Sequence, residues 1–427
     1  MRQTFTTILG KSVRKLAQAR GGGSALPGLF VEKIDPSFIK RTLADLPWGV
    51  VLISGTNGKT TTTKMVVELL EGQGLRVFTN RTGSNFTRGV AAALLGEVDM
   101  QGVLNADIAV LELDEAHAVH FVRTIAPRYS LLLNVMRDQL DRFGEIDKTA
   151  ELLHTIAAHT TEGIVINADD PRLFAPKFTK DLPVPFATYS VAPTLRTLFP
   201  SDDDMRGAAP SRNKKSAANV DNTLLHSIDG AQAEIRFAAK TYTVSLQLKG
   251  IYNIQNAVGA VALTRMILGD GLNTSNMLAS LASVTPAFGR GETLTIDGLP
   301  CELVLVKNPS GFRLGLKSFA PEGYATMIAV NDNYADGRDM SWLWDVDFDS
   351  LATEGVVAAT GIRAYDMALR LQYDEVAIAC VEPNLEKALD FLVTNNSTKP
   401  KRIYCTYTAM LAIRKLLAKQ TSVETVR

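Results

Sequence analysis

Apolar residues along this chain follow two rhythms. In the first half, the runs Gly49–Ser54, Ile108–Leu111, Tyr129–Leu133 and Gly163–Ile166 have the length of strands. In the second half, Leu303–Val306, Met327–Val330, Gly355–Ala358 and Glu375–Ile378 repeat the habit. Unbroken apolar runs mark strands covered on both faces, as in a parallel sheet. Helical spacing fills the intervals: Met65, Val66, Leu69 and Leu70 line one side of Thr61–Leu70. Strands alternating with helices predict an α/β fold, and the two groups of runs predict two α/β domains.

Other stretches depart from this pattern. Phe5, Ile8, Leu9, Val13 and Leu16 fall near helical spacing among Arg2, Lys11, Arg14, Lys15 and Arg20. They predict a short basic amphipathic helix, packed on the body of the protein or resting on a membrane surface. Arg20-Gly21-Gly22-Gly23-Ser24 ends it. Residues 199–223 turn polar: Asp202, Asp203 and Asp204 precede Arg206, Arg212, Lys214 and Lys215, which predicts a mobile loop or insertion. Strand-like alternation returns over Ala233–Leu248. The expected division is an N-terminal helical segment (1–45), a larger α/β domain (46–290) and a smaller one (291–427).

Composition narrows the classes. The 427 residues carry 45 basic and 45 acidic side chains, so the basic excess of a nucleic-acid binder is missing. An apolar content of 46% excludes a disordered charged tail. Cys301, Cys380 and Cys405 stand apart, which predicts neither a disulfide framework nor a cysteine zinc site. No apolar run reaches the roughly 18 residues of a membrane span. With no secretory leader pattern either, the expected location is cytoplasmic, with the inner membrane face in reach of the basic helix.

Gly55-Thr56-Asn57-Gly58-Lys59-Thr60 follows the first apolar run directly and opens a helical segment. Strand, glycine loop and helix are the setting of a phosphate-binding loop. Its glycines let backbone amides approach phosphate oxygens. Lys59 would neutralise β/γ-phosphate charge, and Thr60 would ligate magnesium. The glycine usual four residues before the Gly-Lys pair is replaced by Ile53, so the loop is a shortened form. Glu112, at the end of a neighbouring apolar run, stands where a second magnesium anchor belongs.

With the two threonines that follow, residues 55–62 resemble the ATP loop of the Mur ligase superfamily. These enzymes activate a carboxylate as an acyl phosphate and couple it to an amine. Asn134 with Asp138-Gln139-Leu140-Asp141 resembles their Asn…Asp-His-Leu-Asp motif, with Gln139 in place of histidine. Gly250-Ile251-Tyr252-Asn253-Ile254-Gln255-Asn256 resembles their adenine-binding segment, which makes Asn253 the expected adenine contact. The loop strand begins near residue 49, which leaves no room for the usual domain that holds a UDP-linked substrate. Lys307-Asn308-Pro309, Asp336-Gly337-Arg338-Asp339, Ser341-Trp342-Leu343-Trp344-Asp345 and Gly361-Ile362-Arg363 then resemble the MurT subunit family of lipid II isoglutaminyl synthase.

That resemblance implies a P-loop Mur-ligase-type central ATPase domain with a parallel sheet and a smaller C-terminal Rossmann-like α/β domain. It implies ATP and magnesium, and a heterodimer with a GatD-type glutaminase that supplies ammonia. The substrate would be a lipid II-type precursor, whose D-glutamate α-carboxylate becomes D-isoglutamine. By the same resemblance Asp339 would complete the partner's Cys-His pair, with Asp336 and Asp345 as alternatives. Lys307 is a candidate for stabilising the acyl phosphate, or a solvated lysine. Arg290 could reach phosphate from the domain junction, or lie on the surface. Many members insert a four-cysteine zinc ribbon. The stretch 186–235 has no cysteine, so no zinc is expected. Two other readings stay open: a folylpolyglutamate-synthetase-like ligase that adds an amino acid, and an ATP-binding regulatory module without catalysis.

Overall fold

The computed structural model describes residues 2–19, 26–80, 86–138, 146–205, 221–248, 250–285 and 290–419. The apolar runs of the first half become β1 (Val50–Ser54), β3 (Ile108–Glu112), β4 (Tyr129–Leu132) and β5 (Gly163–Asn167), every one except the first residue of β4 buried throughout. With β2 (Val77–Thr79) and β6 (Phe186–Val191) they pair in parallel. β7 (Asn222–Asp229) still joins β6 in parallel, and β8 (Gln232–Phe237) and β9 (Lys240–Ser245) then extend the sheet antiparallel. The order is β2-β3-β1-β4-β5-β6-β7-β8-β9. The sheet is therefore mixed, where the sequence predicted a parallel one. Its antiparallel end comes from the alternating stretch after residue 221, which buries only one face.

Helices cover both faces. α1 (Arg2–Ala19), α2 (Leu26–Ile34), α3 (Phe38–Ala44) and, later in the chain, α5 (Thr87–Glu97) lie on one side. There Val31, Phe38, Leu43, Val90 and Leu94 pack on Leu52 and Leu111 of the sheet. α4 (Lys59–Glu71) and the helix Ile251–Leu268 fill the other side, where Met65, Val66 and Leu69 meet Val258 and Val261. α2 and α3 lie within the N-terminal segment expected over 1–45, after the glycine break, though the sequence reading named only the first helix there. α6 (Glu115–Val122) follows β3.

The second sheet has the order β10-β11-β15-β12-β13-β14, built from β10 (Arg290–Ile296), β11 (Leu299–Leu305), β12 (Ala325–Ala329), β13 (Val356–Thr360), β14 (Ile378–Glu382) and β15 (Lys401–Cys405). All pairs are parallel except the β10–β11 hairpin. β15 was missed because it opens on Lys401 and Arg402, yet it lies near the middle of the sheet. Arg402 is held there by Glu302 at 2.9 Å. The run Glu375–Ile378 starts too early, because Glu375 takes a left-handed φ of 56° and the strand begins only at Ile378.

The polar stretch 199–223 is ordered at both ends. Phe199 joins the core, Asp202–Met205 forms a helical turn, and Asn222 enters β7. Residues 206–220 lie outside the described residues.

Candidate active site

β1 delivers the chain to the loop, and α4 leads it away. Gly55 and Gly58 take φ values of 137° and 91°, which L side chains rarely adopt. Space demands glycine as well. A Cβ at Gly58 would stand 2.6 Å from Asn256 Oδ1, and one at Gly55 3.0 Å from the Asn134 amide nitrogen. Gly58 caps α4 with no side-chain hydrogen bond, so the first amides of the helix face the loop cavity. This is the cradle that a polyphosphate fills.

Lys59 is buried with its ammonium inside the loop. Nζ donates to Gly55 O at 2.6 Å and lies 3.4 Å from Glu115 Oε1. Burial opposes the charge, but Glu115, Asp114, Asp138 and Glu112 prevail and hold the lysine pKa above its ordinary value. Glu115 itself is pushed up by burial, with Lys59 opposing. The pair stores a cation where phosphate charge would enter.

Thr60 Oγ1 donates to Glu112 Oε1 at 2.8 Å. Asn80 fixes the Glu112 backbone on both sides, donating to its carbonyl at 2.8 Å and accepting from its amide at 3.0 Å. A hydroxyl and a carboxylate in contact form the hard oxygen donor set that magnesium prefers. Among the described residues, no cluster of three or more His, Cys, Asp or Glu could hold a metal unaided, so water and phosphate oxygens would complete the shell.

A second segment closes over the loop. Asn57 N donates to Asn134 Oδ1 at 2.9 Å, and Asn134 Nδ2 returns to Asn57 O at 3.0 Å. Thr56 Oγ1 accepts from Met136 N at 3.0 Å. Asp170, fully buried, accepts from Val135 N at 2.6 Å and so pins the segment from behind. Burial pushes its pKa up to about 6, although three backbone amides and Arg172 pull the other way.

The second sheet supplies the opposite wall. Asn308 caps the helix Pro309–Ser318 by accepting from Gly311 N at 2.7 Å. Its Nδ2 reaches Asn57 Oδ1 at 3.1 Å and Asp138 Oδ1 at 3.2 Å. Arg137 Nη1 pairs with Asp345 Oδ2 at 3.3 Å. Lys307 lines the cleft between the sheets together with Asn57, Asn134, Tyr252 and Asn256.

The expected residues are thus only partly gathered. Gly55 through Thr60, Glu112 and Lys307 surround one cleft. Asn253 is fully buried at the start of its helix, and Tyr252, Gln255 and Asn256 face the cleft instead. Arg290 opens β10, but its side chain lies outside the described residues, as do Gln139, Leu140 and Asp141. Asp339 sits in the loop after β12, its Oδ1 accepting from Ser341 N at 2.9 Å. Asp336 is buried and turned inward onto the Thr408 amide at 2.7 Å, and burial raises its pKa. Its carboxylate is thus engaged inside the chain, by Thr408 and the Asn333 amide. Sequence reading missed Asn134 as a loop contact, and also Asn308, Glu115 and Asp170. The Asn-Pro pair at 308–309 was a legible cap signal.

A glycine loop between strand and helix, an acid on the next strand and a second α/β domain closing the cleft together define a Mur-type ATP-dependent ligase. The chain matches the Mur ligase middle domain family over residues 53–264 and the MurT ligase C-terminal family over 305–410. It belongs to the MurT family of the Mur ligase superfamily. It is 31% identical to the lipid II isoglutaminyl synthase (glutamine-hydrolyzing) subunit MurT of Streptococcus pneumoniae, over 98% of each chain. It is 29% identical to the same subunit of Staphylococcus aureus, over 91% of this chain and 92% of that one. Among solved structures, MurF of Acinetobacter baumannii is similar in fold, with a TM-score of 0.68 at 17% identity over 92% of this chain and 80% of that one.

Proposed function

We propose that this chain is the synthetase subunit of a glutamine amidotransferase that converts the D-glutamate α-carboxylate of a lipid II stem peptide into D-isoglutamine. The observation that carries the reading is the closed cleft itself. Lys59, the Thr60–Glu112 pair and Asn308 of the second domain converge on one loop, in a chain similar along its length to subunits named for that reaction.

The chemistry runs in two displacements. A carboxylate oxygen attacks the γ-phosphorus of ATP, and ADP leaves with the bridging oxygen. Ammonia then attacks the acyl carbon, phosphate leaves, and the new ammonium group loses a proton to give the amide. Loop amides and Lys59 neutralise the charge that builds on the phosphoryl oxygens. Thr60 and Glu112 would hold magnesium, which would supply positive charge against the phosphoryl groups. Lys307, on the opposite wall of the cleft, would meet the acyl phosphate. Closure of the cleft through Asn308 and Arg137 shelters that intermediate from water.

The ammonia source would be a GatD-type glutaminase docked on the second domain. Asp339 stands in an open loop near Tyr334, which is 85% exposed. Trp344 and Tyr373, 5.0 Å apart, are also half-exposed or more, an aromatic surface suited to a protein partner.

The test is an amidation assay with ATP and lipid II, run with ammonium or with glutamine plus the glutaminase. Amide formation from ammonium by this chain alone supports the reading. Ligation of a free amino acid without amidation would replace it with an amino-acid-adding ligase, and ATP binding with no turnover would leave a regulatory module.

A further inference from the structure

Helix α1 is built inside out. A helix on a protein surface ordinarily turns its apolar stripe inward. Here the inward positions are Thr6, Thr7 and Gly10, all buried. The Thr6 hydroxyl donates to Asp35 Oδ2 at 3.0 Å. A Cβ at Gly10 would stand 2.7 Å from Leu95 and 2.9 Å from Val31, so small residues let α1 settle closely on α2 and α5. Leu9 and Val13 are half-buried, and the other three large apolar side chains point away. Phe5 is 62% exposed, Ile8 45% and Leu16 59%. With Ser12 and Lys15, also exposed, they step along one face at helical spacing.

Charge adds direction. The helix contains Lys11, Arg14 and Lys15 and no acid. The nearest acids of α2 and its end are already paired, Glu32 with Arg88 at 2.8 Å and Asp35 with Arg41, while Glu97 at the end of α5 is exposed. Among the described residues no helix is long and apolar enough to cross a membrane. An exposed apolar ridge with basic flanks suits a surface that is apolar below and anionic above.

We propose that α1 docks on an anionic lipid bilayer, lying flat along its roughly 27 Å length. Phe5, Ile8 and Leu16 enter the boundary between headgroups and acyl chains, and Lys11 and Lys15 meet lipid phosphates. A second copy of the chain fits the face poorly, because it would set one lysine row against another.

The full chain is sedimented with vesicles of equal phosphatidylglycerol and phosphatidylcholine, and with vesicles of phosphatidylcholine alone. The vesicles contain no peptidoglycan precursor and no nucleotide, so the result is independent of the ligase reading. The expected result is binding to the anionic vesicles at least about tenfold tighter than to the neutral ones, weakened by salt. A Phe5→Ser/Ile8→Ser/Leu16→Ser variant should lose binding, and Lys11→Glu/Lys15→Glu should lose the preference for anionic lipid. Four of the five changed positions are exposed and Lys11 is half-buried, and unaltered ATP binding confirms that each variant is folded. The proposal is overturned if the wild-type chain stays in the supernatant with both vesicles, or if the apolar variant binds as well as wild type. It is also overturned if that variant instead dissolves a dimer in sedimentation velocity or loses the glutaminase partner.

Discussion

Two loops lie at the C-terminal ends of parallel strands, one in each sheet, and they are built to opposite plans. The loop after β1 is short, glycine-set and enclosed, and its cation is held against Glu115 before any ligand arrives. The loop after β12 is long and open. It buries Asp336 against Thr408, leaves Asp339 half-buried and turns Tyr334 toward solvent. In the first, Lys59 is held by Glu115 and by the nearby Asp114, Asp138 and Glu112, so the cation is in place before nucleotide enters. In the second, Asp336 ties the loop to Thr408, while half-buried Asp339 accepts from Ser341 N. The contrast bears on the proposed division of labour, in which the second loop would face a partner.

The largest effect should come from emptying the enclosed loop. Lys59→Ala removes the cation held in the cradle and leaves Glu115 buried without that partner. ATP-dependent turnover should fall by about 10³-fold with ammonium and with glutamine alike. An initial-rate assay of ADP release with both nitrogen donors checks this, and near-normal turnover would remove Lys59 from phosphoryl transfer.

The open loop should behave differently. Asp339→Asn should cut glutamine-driven amidation by about 10²-fold or more while ammonium-driven amidation stays within about twofold. Equal loss with both donors would move Asp339 into the synthetase site. Asp336→Asn serves as the contrast: it disturbs a buried carboxylate with three partners, so both activities should decline together with a lowered melting temperature.

How far the sequence revealed these loops follows from their physics. The phosphate loop was legible because close phosphate approach restricts the residues to a local string, Gly55 to Thr60. Glu112 was legible because a buried strand ended on it. The covering residues were not. Asn134 faces Asn57 across 77 positions, and Asn308 faces it across 251. No local spacing encodes such a contact. β15 was hidden because Lys401 and Arg402 read as surface until Glu302 is seen beside the arginine. α1 was legible as a helix, packed on the body or resting on a membrane surface; buried Thr6, Thr7 and Gly10 show that Phe5, Ile8 and Leu16 face out.

A smaller effect should follow from separating the two domains at the cleft. Asn308→Ala keeps the loop intact but removes the contacts to Asn57 and Asp138 and the cap of its own helix. Turnover should drop about tenfold, mainly in kcat, because ATP still binds the first domain while closure is lost. A rise in the KM for ATP with unchanged kcat would place Asn308 in nucleotide binding instead.

The smallest change in turnover, and the sharpest in pH, concerns Asp170. Its carboxyl is pushed up to about 6, against an unperturbed value of 3.8. The folded state therefore holds this proton more tightly than the unfolded state does. The resulting stability is fully present below about pH 4 and is lost as pH rises through about 6, by a few kcal/mol at most. Asp170→Asn lacks that titration. Urea unfolding from pH 4 to 7 should show wild type losing ground steadily to the variant across this window and running parallel to it above pH 7. Near neutral pH the asparagine oxygen can still accept from Val135, so the segment over the phosphate loop keeps its anchor and turnover should stay within about threefold. A variant with the same pH slope as wild type would mean that the carboxyl is already ionised at pH 4. The backbone amides of Val135, Arg172 and Leu173 would then outweigh burial, and the covering segment would be anchored by a full charge at every working pH.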